Sequence, residues 1–146
     1  MRVERSIDIQ VTPGAIWPYL TEPELILKWF TFLTRYEFKD AERGGEGVSF
    51  YWQEKQGLMF LTLHYQVVEW QENELISFRM TSGPLKRDDQ TWKLLEIPAG
   101  TRFTLTTDIE FTAGIFDRLA RPLVTAMVGR NMEKVLKNLK AIAERR

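Results

Sequence analysis

One histidine, His64, stands in a chain of 146 residues that has no cysteine. The missing thiol excludes cysteine nucleophiles, disulfides and cysteine-ligated metals. His64 falls in the run 58–69, where Thr62 and Gln66 share its parity and Met59, Leu61, Leu63, Tyr65 and Val67 hold the other. Alternation puts it on the outer side of a strand, with no partner to orient it as a base or ligand. No metal and no cofactor is expected. Asp108 and Glu110 alternate with Ile109 and Phe111 and should face water, which argues against an acid/base pair in the interior. Tyr65 and Thr107 are the polar side chains that alternation points inward, where they orient a ligand or find partners in the core. The run Arg43-Gly44-Gly45-Glu46-Gly47 lacks the Lys-Ser/Thr ending of a phosphate loop, and no helix pattern follows it; it reads as a turn.

Charge narrows the partners. Lys and Arg total 20 and Asp and Glu total 20, so there is no positive surplus to neutralise a phosphate backbone and no nucleic acid is expected. The opening Met1-Arg2-Val3-Glu4-Arg5 is charged where a signal peptide needs an apolar core, and no apolar run reaches the length of a transmembrane segment. The expectation is one cytoplasmic domain over 1–146. Five Trp, nine Phe and four Tyr must fill a core, line a pocket or cover an interface.

The elements that position these residues follow from periodicity. Val3, Arg5, Ile7, Ile9 and Val11 alternate with polar residues and predict a half-buried strand. Thr12-Pro13 opens a short helix through Ile16 and Trp17, which Pro18 should end. Thr21-Glu22-Pro23-Glu24 opens a second, with Thr21 and Glu24 forming a capping box. An antiparallel meander follows: Tyr36 and Phe38, then Phe50 and Trp52, then Leu58 to Glu69, then Ile76, Phe78 and Met80, then Trp92 and Leu94, then Phe103 to Phe111. With the first, that makes seven strands. From Ile115 to Arg146, Ile115, Leu119, Leu123, Met127, Met132, Val135, Leu139 and Ile142 recur at steps of three to five and predict one long helix with a buried stripe. Pro122 should kink or restart it, Asp117 and Lys140 suit its dipole, and Glu133 and Lys137 are spaced to pair. The fold class is α+β: a curved seven-stranded antiparallel sheet wrapped around the C-terminal helix, with two short helices between the first and second strands.

The stretch from Val3 to Trp29, containing RSIDIQVTPGAIWPYLTEPELILKW, resembles the opening of the START/polyketide cyclase superfamily (SRPBCC): a strand, a Pro, a Trp, an acid-Pro pair and a second Trp. Gly44-Gly45, Ala99-Gly100-Thr101-Arg102 and Leu136 to Glu144 fit the same pattern further on, while Pro18 departs from it. The resemblance implies a helix-grip fold enclosing an apolar cavity for lipids, polyketides or other hydrophobic molecules. Binding or carriage of such a molecule is the leading expectation. Other branches of the superfamily imply the alternatives, a cyclase/aromatase-type enzyme without metal or a protein partner in the form of a heat-shock ATPase.

A curved sheet on a single helix leaves space at one end, and apolar space with few polar groups is where small molecules bind. The candidate lining comes from inward positions: Trp29, Phe50, Trp52, Tyr65, Phe78, Met80, Trp92, Phe116, Leu119, Leu123 and Met127. The same aromatics could instead fill that space. The apolar run Trp29 to Leu33 is either a mouth or lid to the cavity or a segment packed under the helix.

Overall fold

A computed structural model describes residues 1–111 and 121–145. The described elements run β1 (Arg2–Ile9), α1 (Pro13–Thr21), α2 (Pro23–Trp29), β2 (Leu33–Phe38), β3 (Ser49–Gln56), β4 (Met59–Gln71), β5 (Leu75–Ser82), β6 (Arg87–Ile97), β7 (Gly100–Glu110) and α3 (Arg121–Ala143). The seven strands form one antiparallel sheet in the order β1-β7-β6-β5-β4-β3-β2. Five consecutive hairpins build the meander from β2 to β7, and β1 closes it by pairing with β7, Val3 opposite Thr107 and Ile9 opposite Thr101. The sheet curls around α3 as a half-barrel, the α+β helix grip expected from the sequence. The expected helix positions Ile115, Phe116, Asp117 and Leu119 lie outside the described residues.

Alternation decides which side of each strand meets the helix. Val3 and Ile9 on β1, Phe50 and Trp52 on β3, Leu63, Tyr65 and Val67 on β4, Ile76 and Phe78 on β5, Trp92 and Leu94 on β6, and Phe103 and Leu105 on β7 are all buried. Arg35, Glu37, Lys93, Arg102 and Glu110 on the opposite parity are exposed. Irregularities between His64 and Tyr65 and between Val67 and Glu69 let the 13-residue β4 bend, as a curled sheet needs.

Three local expectations are revised. Helix α1 does not stop before Pro18 but runs through it to Thr21. In so short a helix the ring removes one backbone bond, and the carbonyls of Trp17 and Pro18 accept from Thr21 Oγ1 at 3.2 Å and Glu22 N at 2.9 Å. The capping box at Thr21 and Glu24 does not form: Glu22 is the N-cap of α2, with no side-chain cap bond, because Thr21 is committed to Trp17. Glu133 pairs across to Arg5 of β1, 3.1 Å from Nε, rather than along the helix to Lys137.

The helix is held by apolar packing and by polar bonds at the C-terminal end of β1. Met132, Val135, Leu136 and Leu139 are buried in the core, and Lys140 Nζ donates to Asp8 O at 2.8 Å. Glu144 accepts from the Gln10 backbone N–H at 2.8 Å. Gly129 admits the Arg5 guanidinium so closely that a Cβ there would lie 2.4 Å from Nη2.

Candidate functional site

Six of the inward aromatics form one interlocked cluster. Trp52 and Tyr65 have ring centroids 4.6 Å apart, Phe50 and Tyr65 5.4 Å, Phe78 and Trp92 5.3 Å, and Trp29 and Trp92 5.3 Å. Their edge-to-face and offset geometry closes the space between them, and each ring is at most 2 % exposed. Trp29 Nε1 donates to Tyr19 O at 2.7 Å, and Asn138 Nδ2 donates to Trp29 O at 3.2 Å. With Phe30 and Leu33 also buried, the run from Trp29 to Leu33 includes core residues packed beneath α3.

A cavity of about 420 Å³ opens beside this cluster, between the sheet and α3. Strand β3 contributes Glu54 and Gln56, β4 contributes Met59, Leu61 and Leu63, and the connection to β6 contributes Pro84 and Leu85. Ile109 and Phe111 close it at the end of β7, and α3 supplies Val124, Met127, Val128 and Asn131. Leu63 joins cluster and cavity, buried on one side and lining on the other. Met59, 63 % exposed, and Met127, 45 % exposed, form a rim open to solvent, and Leu58 and Phe60 stand exposed on the same hairpin.

Of the residues expected to line a site, Met127 lies on the cavity wall. Trp29, Phe50, Trp52, Tyr65, Phe78 and Trp92 are in the adjoining cluster, and Met80 packs at the Gly83 turn, where a Cβ would meet its Sδ at 2.7 Å. Leu123 points to solvent, 72 % exposed. The expected stripe takes a step of five between Met127 and Met132, which changes face; counting back in fours from Met132 reaches Val128 and Val124, the residues turned inward. Phe116 and Leu119 lie outside the described residues.

The polar side chains in and behind the cavity are the ones sequence reasoning passes over. The period of two that buries Phe50 and Trp52 continues through Glu54 and Gln56, so the end of β3 turns a carboxylate and an amide inward. Asp88 and Gln90 precede Trp92 on the same parity and are buried. Asp88 accepts from Tyr65 Oη at 2.6 Å, from Thr107 Oγ1 at 3.0 Å and from Gln90 Nε2 at 3.3 Å. Gln90 Oε1 in turn accepts from Trp92 Nε1 at 3.2 Å. Tyr65 and Thr107, expected to point inward, thus find their partner in a buried carboxylate. His64 is half-buried on the outer face beside the Tyr51 ring, and its Nδ1 has no hydrogen-bond partner among the described residues.

Burial raises the Asp88 pKa against the pull of its three donors. Glu54 is also pushed up, from an ordinary 4.5 to about 7, first by desolvation and then by the Asp88 charge. Gln56 and Trp52 draw it partly back, although Trp52 Nε1 is buried without a hydrogen bond of normal geometry. Among the described residues, no Lys or Arg lies within 4 Å of either carboxylate. A half-buried acid that titrates near neutrality can hold or release a proton inside an apolar cavity. Among those residues there is also no group of three or more His, Asp or Glu side chains placed to hold a metal ion.

A family model described as polyketide cyclase/dehydrase and lipid transport matches residues 1–144. Solved structures share the whole fold. A protein from Thermus thermophilus, TTHA0849, is 25% identical with a TM-score of 0.79, over 98% of this chain and 95% of that one. The Zhui aromatase/cyclase from a Streptomyces species is 19% identical with a TM-score of 0.83, over 100% and 94%. A START superfamily protein from Mycobacterium smegmatis is 14% identical with a TM-score of 0.81, over 98% and 97%. No curated protein sequence matches the chain.

Proposed function

The chain belongs to the polyketide cyclase/dehydrase and lipid transport family, and from that premise we propose that it binds and carries a small hydrophobic molecule in the cavity between the sheet and α3. The observation that carries this reading is the wall itself: among the described residues ten of the thirteen that line it are apolar, from Met59 on β4 to Val128 on α3. Apolar surface facing water is unfavourable, and a ligand that covers it gains by the area it removes from solvent. The volume falls within the range of small-molecule sites. No helix among the described residues is long and apolar enough to cross a membrane. Purified protein extracted with organic solvent should release a lipid-like compound visible by mass spectrometry, and added hydrophobic probes should shift the emission of Trp52 and Trp92. An empty extract together with unchanged emission would overturn the reading.

A second reading, a cyclase-type enzyme, draws on Glu54. A carboxyl whose pKa is about 7 is suited to take and return a proton at neutral pH, and a neighbour of the same fold is an aromatase/cyclase. Turnover of a poly-β-ketone substrate that is lost in Glu54→Gln, with ligand binding retained, would favour it.

A further inference from the structure

Glu54 is the only charged side chain among the described residues lining the cavity. It sits where β3 faces Leu61 of β4 and Leu33 of β2, so neither neighbouring residue supplies a counter-charge. The facing wall of α3 presents Met127, Val128 and the uncharged Asn131. Behind it, β6 adds a second carboxylate, Asp88, and β4 adds the Tyr65 hydroxyl, which is already donated to Asp88. Among the described residues, the ionisable groups that face Glu54 are therefore acidic. The surroundings are apolar, so a charge placed next to this carboxylate interacts more strongly than it would in water.

From this geometry we propose that Glu54 makes the cavity select by charge: it takes amphiphiles whose polar end is a protonated amine, takes neutral alcohols less well, and refuses carboxylates. A ligand ammonium supplies the counter-charge that the described lining residues do not, with its chain against Leu61, Leu85 and Val128. Asn131, on the same wall, is placed to bind the same polar end through its amide. A fatty-acid carboxylate brings a like charge toward Glu54 with Asp88 behind it. The inference deepens the carrier reading and rests on it. It also carries a pH sign. Amine binding strengthens as pH rises through the Glu54 titration, and carboxylate binding weakens over the same interval.

The test uses three probes of one chain length, octylamine, octan-1-ol and octanoate, titrated calorimetrically into the full chain at pH 6 and pH 8. The amine remains protonated and octanoate ionised at both values, so the change reports the protein. At pH 8 octylamine should bind roughly tenfold or more tighter than octanoate, the span expected for an opposite charge beside a carboxylate, with octanol between them. At pH 6 the gap should narrow. Glu54→Gln should bring amine and carboxylate to within roughly threefold of each other at both values. Equal binding of the three probes by the unmodified chain at pH 8, tightest binding of octanoate, or a preference that survives in a folded Glu54→Gln would overturn the inference while leaving the carrier reading standing. Failure of all three, octanol included, would overturn the carrier reading and this inference with it. The comparison in the unmodified chain decides the matter even if the variant does not fold.

Discussion

Tyr65 Oη and Asp88 Oδ2 lie 2.6 Å apart in the interior, a hydroxyl from β4 donated to a carboxylate from β6. Asp88 is buried without a cation among the described residues, and the bonds from Tyr65, Thr107 and Gln90 compensate its lost hydration. Tyr65→Phe keeps the ring against Phe50 and Trp52 but removes one donor. It should cost about 1–3 kcal/mol in denaturant unfolding, the usual consequence of leaving a buried polar group short of a partner. Because the Tyr65 bond lowers the Asp88 pKa, the loss falls on the ionised form, and the cost should grow as pH rises across the range measured. A cost independent of pH would mean that Asp88 does not change ionisation over that interval.

Glu54 sets a second pH dependence. Its folded pKa of about 7 lies above the ordinary 4.5, so between those values the folded state holds a proton that the unfolded state has released. Stability therefore declines as pH rises through that window. A shift of this size corresponds to roughly 3 kcal/mol at its fullest. Glu54→Gln removes the titration: the variant should match the parent near pH 4 and exceed it at pH 8, by up to roughly 2–3 kcal/mol. Thermal melts across pH 4–8 check this, and parallel profiles for the two proteins would refute it.

Much of the fold is legible because its elements are separated by turn residues and carry plain periods. Ile7 and Ile9, or Phe103 and Leu105, announce an inward face without ambiguity. The cavity is harder to read because it lies where those patterns end. Glu54 and Gln56 continue the parity of Phe50 and Trp52, but polar residues at a strand's end look like solvated fraying unless the curl of the sheet is known. Asp88 escapes notice for the opposite reason, since a carboxylate is rarely assigned to a core before its donors are in view, and two of those donors come from strands far away in sequence. The aromatics draw attention by their size, yet size is also what lets them close a core.

Gly129 and Arg5 form a coupled pair suited to a double-mutant cycle. Alanine in a helix interior is favoured over glycine by about 0.5–1 kcal/mol, but a Cβ here would stand 2.4 Å from Arg5 Nη2. The guanidinium is the far end of a flexible side chain, so it would move and weaken its pairing with Glu133. Gly129→Ala should thus be close to neutral in the parent and stabilise by about 0.5–1 kcal/mol in an Arg5→Ala background. Chemical denaturation of the four proteins gives the coupling directly, and additivity within error would show that Arg5 does not occupy that space in solution.

Cluster and cavity make opposite predictions when each is altered alone, which separates residues that hold the fold from residues that meet a ligand. Val128 is half-buried on the cavity side of α3, and Val128→Phe extends a ring into open apolar space. Filling a hollow is tolerated where overpacking a dense core is not, so stability should stay within about 1 kcal/mol or rise. Hydrophobic probe affinity should nevertheless fall at least roughly tenfold, as expected when about 1.4 kcal/mol of contact is lost. Phe78→Leu, in the cluster, removes ring contacts with Trp52, Tyr65 and Trp92 and should cost about 1–3 kcal/mol of stability, with probe affinity held within roughly threefold. Calorimetric binding and unfolding measured on both variants distinguish the cases. If Phe78→Leu abolished binding while Val128→Phe did not, the aromatic cluster rather than the space beside it would be the binding surface.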